Sequence, residues 1–332
     1  MDPASIVAYS QPVADAGFIE WDGGKLRLLD RFYGVKPLDQ GLRGALASFA
    51  PSTLGYDSIS SWQFFQFLID MGPIYATWFL ESSRPANARS PAYYPSLFIL
   101  LGQFVGVGTV VPLFYFSCIV FGPSAVDLAK AQRRHGRCMD DGRTVAPVIL
   151  LFHTSVVYAM FTAQDPADRH YWTWFWQLSP LWIGLGTAAA RRILAHLQSE
   201  HRAPYVMDRR KWPGVFGWLG LLCGISFGVW FTTVFAAPHP LATLFLPSPE
   251  RQTGLVLHMR KALQADEMIT VLSNGLWFAY TFAELHVVGL LGTKAVLYMA
   301  LYPLATIIAG PGVAFVLVWQ FKEDVLDNMR TS

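Results

Sequence analysis

Two sets of polar residues in this chain recur at helical spacing inside otherwise apolar sequence. Gln63, Gln66, Asp70, Pro73, Thr77 and Glu81 are separated by steps of three or four, so they share one face of a helix. Asp266, Thr270, Ser273, Trp277, Thr281 and Glu284 repeat the pattern, with Asn274 alongside. A carboxyl in the middle of an apolar segment is costly, and Asp70 occupies that place in the first stripe. A carboxyl desolvated without a cation holds its proton near neutral pH, which is what a general acid requires. The expectation is that both stripes line one cavity, with Asp70 and Glu284 as acid and base and with Asp266 and Glu81 as a second acidic pair. Helix bridging by hydrogen bonds is the alternative for each of these carboxyls, as is simple solvation for Glu81 and Asp266 near the segment ends.

Around the carboxyls the chain carries 24 Phe, 13 Tyr and 12 Trp. Rings inside apolar segments, among them Trp78, Tyr158 and Trp277, can hold a cation over their faces at about 0.5–2 kcal/mol each. Gln63, Gln66, Gln103 and Asn274 are candidates to orient a substrate by hydrogen bonds, and Asp57, at the entry of the first stripe, is a further candidate or else a helix cap. His153 and His286 have no ligand-like spacing to another His or carboxylate, so no metal site and no cofactor are expected.

The elements that must position these residues are membrane helices. Of 332 residues, 53% are apolar and 14% charged, where soluble domains carry roughly 25% charged residues. Mean hydropathy is +0.34. The net charge of +2 gives no polyanion-binding excess, which sets nucleic acid aside. Cys118, Cys138 and Cys223 are odd in number and scattered, so they form neither a disulfide framework nor a zinc set. Apolar stretches of about 20 residues predict an all-α polytopic membrane bundle with seven transmembrane helices, at 59–81, 93–121, 144–162, 170–190, 213–236, 268–290 and 294–321. An interfacial, re-entrant or eighth helix is predicted near 38–54, where Arg43 and Pro51 interrupt the apolar run. The expected organisation is an N-terminal segment (1–58), one helical domain (59–321) and a short tail (322–332).

Lys and Arg counts over seven crossings put the N-terminus in the cytosol, and the acidic start, without a basic or apolar leader, predicts no cleaved signal. Gly220, Gly224 and Gly228 make two overlapping GxxxG steps that predict close helix packing. Gly310-Pro311-Gly312 must break the last helix, beside either a cavity or a tight contact. No GxxxxGK[ST] loop occurs, and Asp140-Asp141 is followed by Gly142-Arg143-Thr144, which is not a DDxxD magnesium motif.

Residues 32–124 carry a more specific signature: Phe32-Tyr33-Gly34-Val35, Phe49-Ala50-Pro51-Ser52-Thr53-Leu54-Gly55-Tyr56-Asp57, Trp62-Gln63, Asp70, Leu80-Glu81-Ser82, Pro91-Ala92-Tyr93-Tyr94-Pro95 and Gly102-Gln103-Phe104. With the later Leu263-Gln264-Ala265-Asp266-Glu267, it resembles the fungal integral-membrane terpene cyclases of meroterpenoid pathways, of the ascochlorin and ascofuranone type. The resemblance implies a membrane enzyme, in the endoplasmic reticulum, that uses no metal. Its implied partners are the lipid bilayer and an epoxidised, prenylated aromatic small molecule. A carboxylic acid would protonate the terminal epoxide, and the isoprenoid chain would cyclise through a cation. A sterol or lipid double-bond isomerase and a proton-coupled lipid transporter are the alternatives that the same carboxyls allow. Oligomeric state is open.

Overall fold

The computed structural model describes residues 3–135, 142–199 and 213–328; Cys138 and the Asp140-Asp141 pair lie outside them. The fold is helical, with one small exception. An opening helix α1 (Pro3–Ala16) is followed by an antiparallel hairpin, β1 (Phe18–Trp21) and β2 (Gly24–Arg27), paired from Phe18 with Arg27 to Trp21 with Gly24. Trp21 stacks on Tyr56 at 5.6 Å, and Ile19 and Leu28 pack with Ala50 and Leu54. The stretch expected to lie at the interface near 38–54 is α2 (Lys36–Thr53), helical through Pro51 and buried along one face.

The central element is α3 (Ser58–Ser82), in which nearly every residue from Gln63 onward is buried. Both polar and apolar faces are enclosed because other helices surround it. Alongside run α5 (Val107–Phe121), α13 (Leu255–Val287) and α15 (Pro311–Asn328). All four point the same way. Along α3 and α13, Asp57 meets Arg260, Gln63 meets Glu267, and Trp78 reaches Asn274 through the Tyr115 hydroxyl. Along α5 and α13, Gly108 meets Asp266 and Tyr115 meets Asn274. Along α3 and α15, Gly312 lies against Asp70, and Trp319 reaches Glu81.

The partners of α5 and α15 run the opposite way. Helix α4 (Pro95–Val105) turns into α5 at Gly106, and α14 (Ala295–Ala309) turns into α15 at Gly310; these glycines have φ of +89° and +87°. Phe98 and Phe114 touch at 4.9 Å between ring centroids. A continuous helix would hold those positions about 24 Å apart at about 1.5 Å per residue. Tyr298 and Phe321, touching at 5.4 Å, make the same case for the second pair. The expected single spans at 93–121 and 294–321 are therefore two helical hairpins. Hydropathy records composition without direction, so a left-handed glycine inside an apolar run reverses the chain unseen.

The remaining helices are α6 (Ala125–His135), α7 (Gly142–Ile149), a π turn (Leu150–Thr154), α8 (Ser155–Thr162), α9 (Pro166–Gln177), α10 (Ser179–Ser199), α11 (Pro213–Ala236) and α12 (Leu241–Phe245). By length and composition, two segments among the described residues are apolar enough to cross a membrane, Thr144–Thr162 and Gly217–Ala236. A third counts if Val107–Phe121 and Ala125–Ala131, bent by 75°, form one span. Seven uniform spans are thus not what the chain forms: α3 and α13 are long enough but carry the polar stripes, and two others fold back. A second correction concerns α11. A Cβ at Gly220, Gly224 or Gly228 would meet nothing within 4 Å, so the GxxxG face packs against no described residue.

Candidate functional site

The two polar stripes face each other, but they do not line one cavity. At one end, Asp57 accepts from Arg260 at 3.0 and 2.5 Å and from the Ser60 hydroxyl at 2.6 Å. Asp57 is therefore a salt-bridge anchor. Burial, and then the charge of Asp57, pushes the adjacent Tyr56 phenol above its ordinary range.

In the middle, Asp70 and Asp266 hold the tips of the two hairpins. Asp70 accepts from the Ser226 hydroxyl, the Gln66 amide and the backbone N–H of Gly312. Asp266 accepts from the Gly108 N–H at 3.2 Å and from Val107. The first amides of α15 and α5 have no intrahelical partner, and a carboxylate at a helix N-terminus satisfies them and complements the helix dipole. The approach is so close that a Cβ at Gly312 would lie 2.8 Å from the Asp70 carbonyl oxygen, and one at Gly108 2.8 Å from the Asp266 Cα. Gly310-Pro311-Gly312 thus marks a tight contact.

At the far end, a cavity of about 300 Å³ opens between α3, α5, α13, α15 and the Gly122–Ala125 turn. Trp78, Phe114, Tyr115, Trp277 and Tyr280 line it, with Glu81, Glu284 and Lys322. Trp277 is stacked between Tyr115 at 5.1 Å and Phe315 at 5.8 Å. The Lys322 ammonium lies 5.4 Å from the Trp277 ring centroid, so this ring already faces a positive charge.

Of the two cavity carboxyls, Glu81 is fully engaged. Oε1 accepts from the Trp319 indole at 2.5 Å and from Lys322, and Oε2 accepts from Arg84 at 2.8 Å. Arg84 also pairs with Glu323, so two cations offset two carboxylates. Glu284 differs. Its Oε1 takes the Ala125 N–H at 2.9 Å, at the start of α6, and no described residue bonds Oε2. It is the cavity carboxyl with an unused oxygen.

The other expected site residues are dispersed. Gln63 and Gln66 lie in the seam between α3 and α13, and Asn274 stands behind the cavity wall, accepting from the Tyr115 hydroxyl at 2.7 Å. Gln103 is half-buried on α4 and does not reach the cavity, and Tyr158 is 37% exposed, edge-on to Phe65. His153 bonds the Leu68 carbonyl and His286 the Leu291 carbonyl, both at 2.8 Å. Sequence reasoning passed over Lys322 as a site residue, together with the buried Glu267. Lys322 falls one residue beyond the last predicted span, whereas Tyr115 and Tyr280 belong to the apolar-segment rings from which cation-holding residues were expected.

Comparison with known proteins adds a family. The model of the CtvD domain matches residues 20–326. The chain belongs to the CtvD-domain family. A protein named as an FAD-dependent monooxygenase from Penicillium polonicum is 28% identical over 92% of this chain and 38% of its own length. A second so named, from Penicillium roqueforti, is 25% identical over 92% and 37%. A protein named as a terpene cyclase from Acremonium egyptiacum is 27% identical over 52% of this chain and 48% of its own length. This member of the CtvD-domain family thus spans less than half the length of the relatives it matches. No solved structure matches it.

Helix N-termini are the usual cradle for a pyrophosphate. Here those of α5, α6 and α15 are already covered by Asp266, Glu284 and Asp70, so none of these three is open to one.

Proposed function

We propose that this CtvD-domain chain is a membrane-embedded terpene cyclase that acts on the epoxidised isoprenoid tail of an aromatic small molecule, by proton transfer and without metal. The observation that carries the reading is the aromatic cavity in which Glu284 keeps one carboxylate oxygen free while the neighbouring charges are offset. Ring faces of Trp78, Tyr115, Trp277 and Tyr280 would hold a cation, and Glu284 would take the proton that ends the cascade. Asp70 and Asp266 serve instead as the caps that fix the hairpins forming the cavity walls. Support also comes from the relative named as a terpene cyclase. The longer relatives named as monooxygenases suit an oxidation carried out by the part of their length that this chain does not match.

The hairpins also change the orientation we propose. If α3, α7–α8, α9–α10, α11 and α13 cross and both hairpins return to the side they left, sixteen of the 25 Lys and Arg collect on the side of residues 83–94. That side would be cytosolic and the N-terminus lumenal, the reverse of the seven-span expectation.

The test is incubation of membranes holding the wild type or Glu284→Gln with a farnesylated phenol carrying a terminal epoxide, with and without chelator, followed by mass spectrometry and NMR. The expected result is an isomeric cyclic product that survives chelator and disappears in folded Glu284→Gln. Unchanged epoxide with the wild type, across several such substrates, overturns the reading.

A further inference from the structure

Between the two hairpin tips, one held at Asp266 and the other at Asp70, α3 and α13 enclose a seam of polar groups that lack partners. Glu267 is 5% exposed and accepts from the Gln63 amide at 2.7 Å, while its other oxygen has no described partner. Along the seam, Gln63 Oε1, Gln66 Oε1, Thr270 Oγ1 and Asn274 Nδ2 are buried without a hydrogen bond. Residues 267, 270 and 274 share one face of α13, and 63, 66 and 70 share one face of α3. Contacts at both ends hold these faces together: Gln63 with Glu267, and Asn274 with Tyr115, whose hydroxyl also accepts from Trp78 at 3.0 Å in the cavity wall. Tyr302, packed on Gly275, adds a buried hydroxyl beside Asn274.

Buried polar groups in native proteins are almost always satisfied, and where protein atoms do not satisfy them ordered water does, typically with about three hydrogen bonds each. A carboxyl enclosed by amides and hydroxyls, with no Lys or Arg among its described contacts, holds a proton rather than a charge. We propose that the α3/α13 seam is a water-binding site through which Glu267 supplies the proton consumed at the cavity. This rests on the cyclase reading given above. In the step, Tyr115 turns its O–H from Asn274 to the substrate oxygen, and the epoxide C–O bond breaks to leave an alcohol and a carbocation. A seam water returns a proton to Tyr115, and Glu267 gives its own proton to the water chain. The cyclised cation then loses a C–H proton to Glu284, which releases it at the cavity mouth, and Glu267 regains one from solvent along the same waters.

Infrared spectra of the purified protein in lipid nanodiscs, in H2O and after transfer to D2O, read the seam without any substrate. The expected result is a protonated-carboxyl C=O band that is missing from Glu267→Gln, unchanged in position in Asp70→Asn, and shifted by D2O within minutes. Thr270→Val should slow that exchange. Absence of a band specific to Glu267, or a band that D2O leaves unshifted over days, overturns the proposal. Gln at 267 keeps an acceptor for Gln63, so the variant should fold. With an epoxide that the wild type turns over, Glu267→Gln should lower kcat by roughly 10²-fold at unchanged KM. Unchanged kcat would overturn the proton-supply role. A correct infrared result without any cyclisation would leave the seam standing and reject the cyclase reading instead.

Discussion

Asp70 and Asp266 at the hairpin tips and Glu81 and Glu284 at the cavity sit on the same two helices, in the same two stripes, yet they do different work. Asp70 closes onto a helix N-terminus, a hydroxyl and an amide, and Asp266 closes onto a helix N-terminus. Glu284 spends one oxygen on a helix N-terminus, lines a void together with rings, and has no described partner for its other oxygen. Glu81 stands between these cases, in the cavity wall but saturated by Trp319, Lys322 and Arg84. What separates the four is whether an oxygen is left over, since helical spacing is common to all; Asp70 and Glu81 are buried, and Asp266 and Glu284 are half-buried.

The sharpest way to break this comparison is at the tips. Gly312→Ala and Gly108→Ala would each place a methyl about 2.8 Å from backbone atoms of the capping aspartates. Overpacking of this kind costs roughly 1–3 kcal/mol. Both variants should show markedly lower thermal stability in detergent by fluorescence-detected size exclusion. Wild-type melting in both would mean the hairpin tips are not held as described.

Glu284→Gln should do the reverse, with little change in melting and a loss of roughly 10²–10⁴-fold in turnover of an epoxide substrate. Asp70→Asn should lower stability by about 1–3 kcal/mol through an unsatisfied cap, while turnover per folded molecule stays within a few-fold. Full loss of turnover in folded Asp70→Asn would move the reactive carboxyl from the cavity to the tips. Within the cavity, Trp277→Leu removes one ring face worth about 0.5–2 kcal/mol to a cation, so kcat should fall by roughly 2- to 30-fold. The smallest effect is expected on α11, where Gly224→Ala enters open space and should change melting by no more than about 0.5 kcal/mol. A strong destabilisation there would show that the glycine face is packed after all.

Much of the helical content was legible because apolar runs and stripe periodicity are properties of consecutive residues. The stripe at 63–81 lies along one face of α3 as its spacing predicts, though every face of that helix is buried and the stripe shares no single cavity with the second one, and the break at Gly310-Pro311-Gly312 was visible from residue types. The polarity of the chain through that break was not, because a single positive φ at Gly106 or Gly310 leaves no mark on hydropathy. The N-terminal hairpin at 18–27 was also missed: its strands are four residues each, and Trp21 finds its partner 35 positions away at Tyr56.

By itself the sequence determined that the chain would be helical and apolar, and which helices would carry carboxyls on one face, since both follow from composition and from the 3.6-residue period. Only the tertiary structure decided what each carboxyl faces. Lys322 reaches Glu81 across 241 positions, and Ala125 reaches Glu284 across 159. Partners at such distances are set by how helices fold back and pack, and a carboxyl's chemistry is set by its partners.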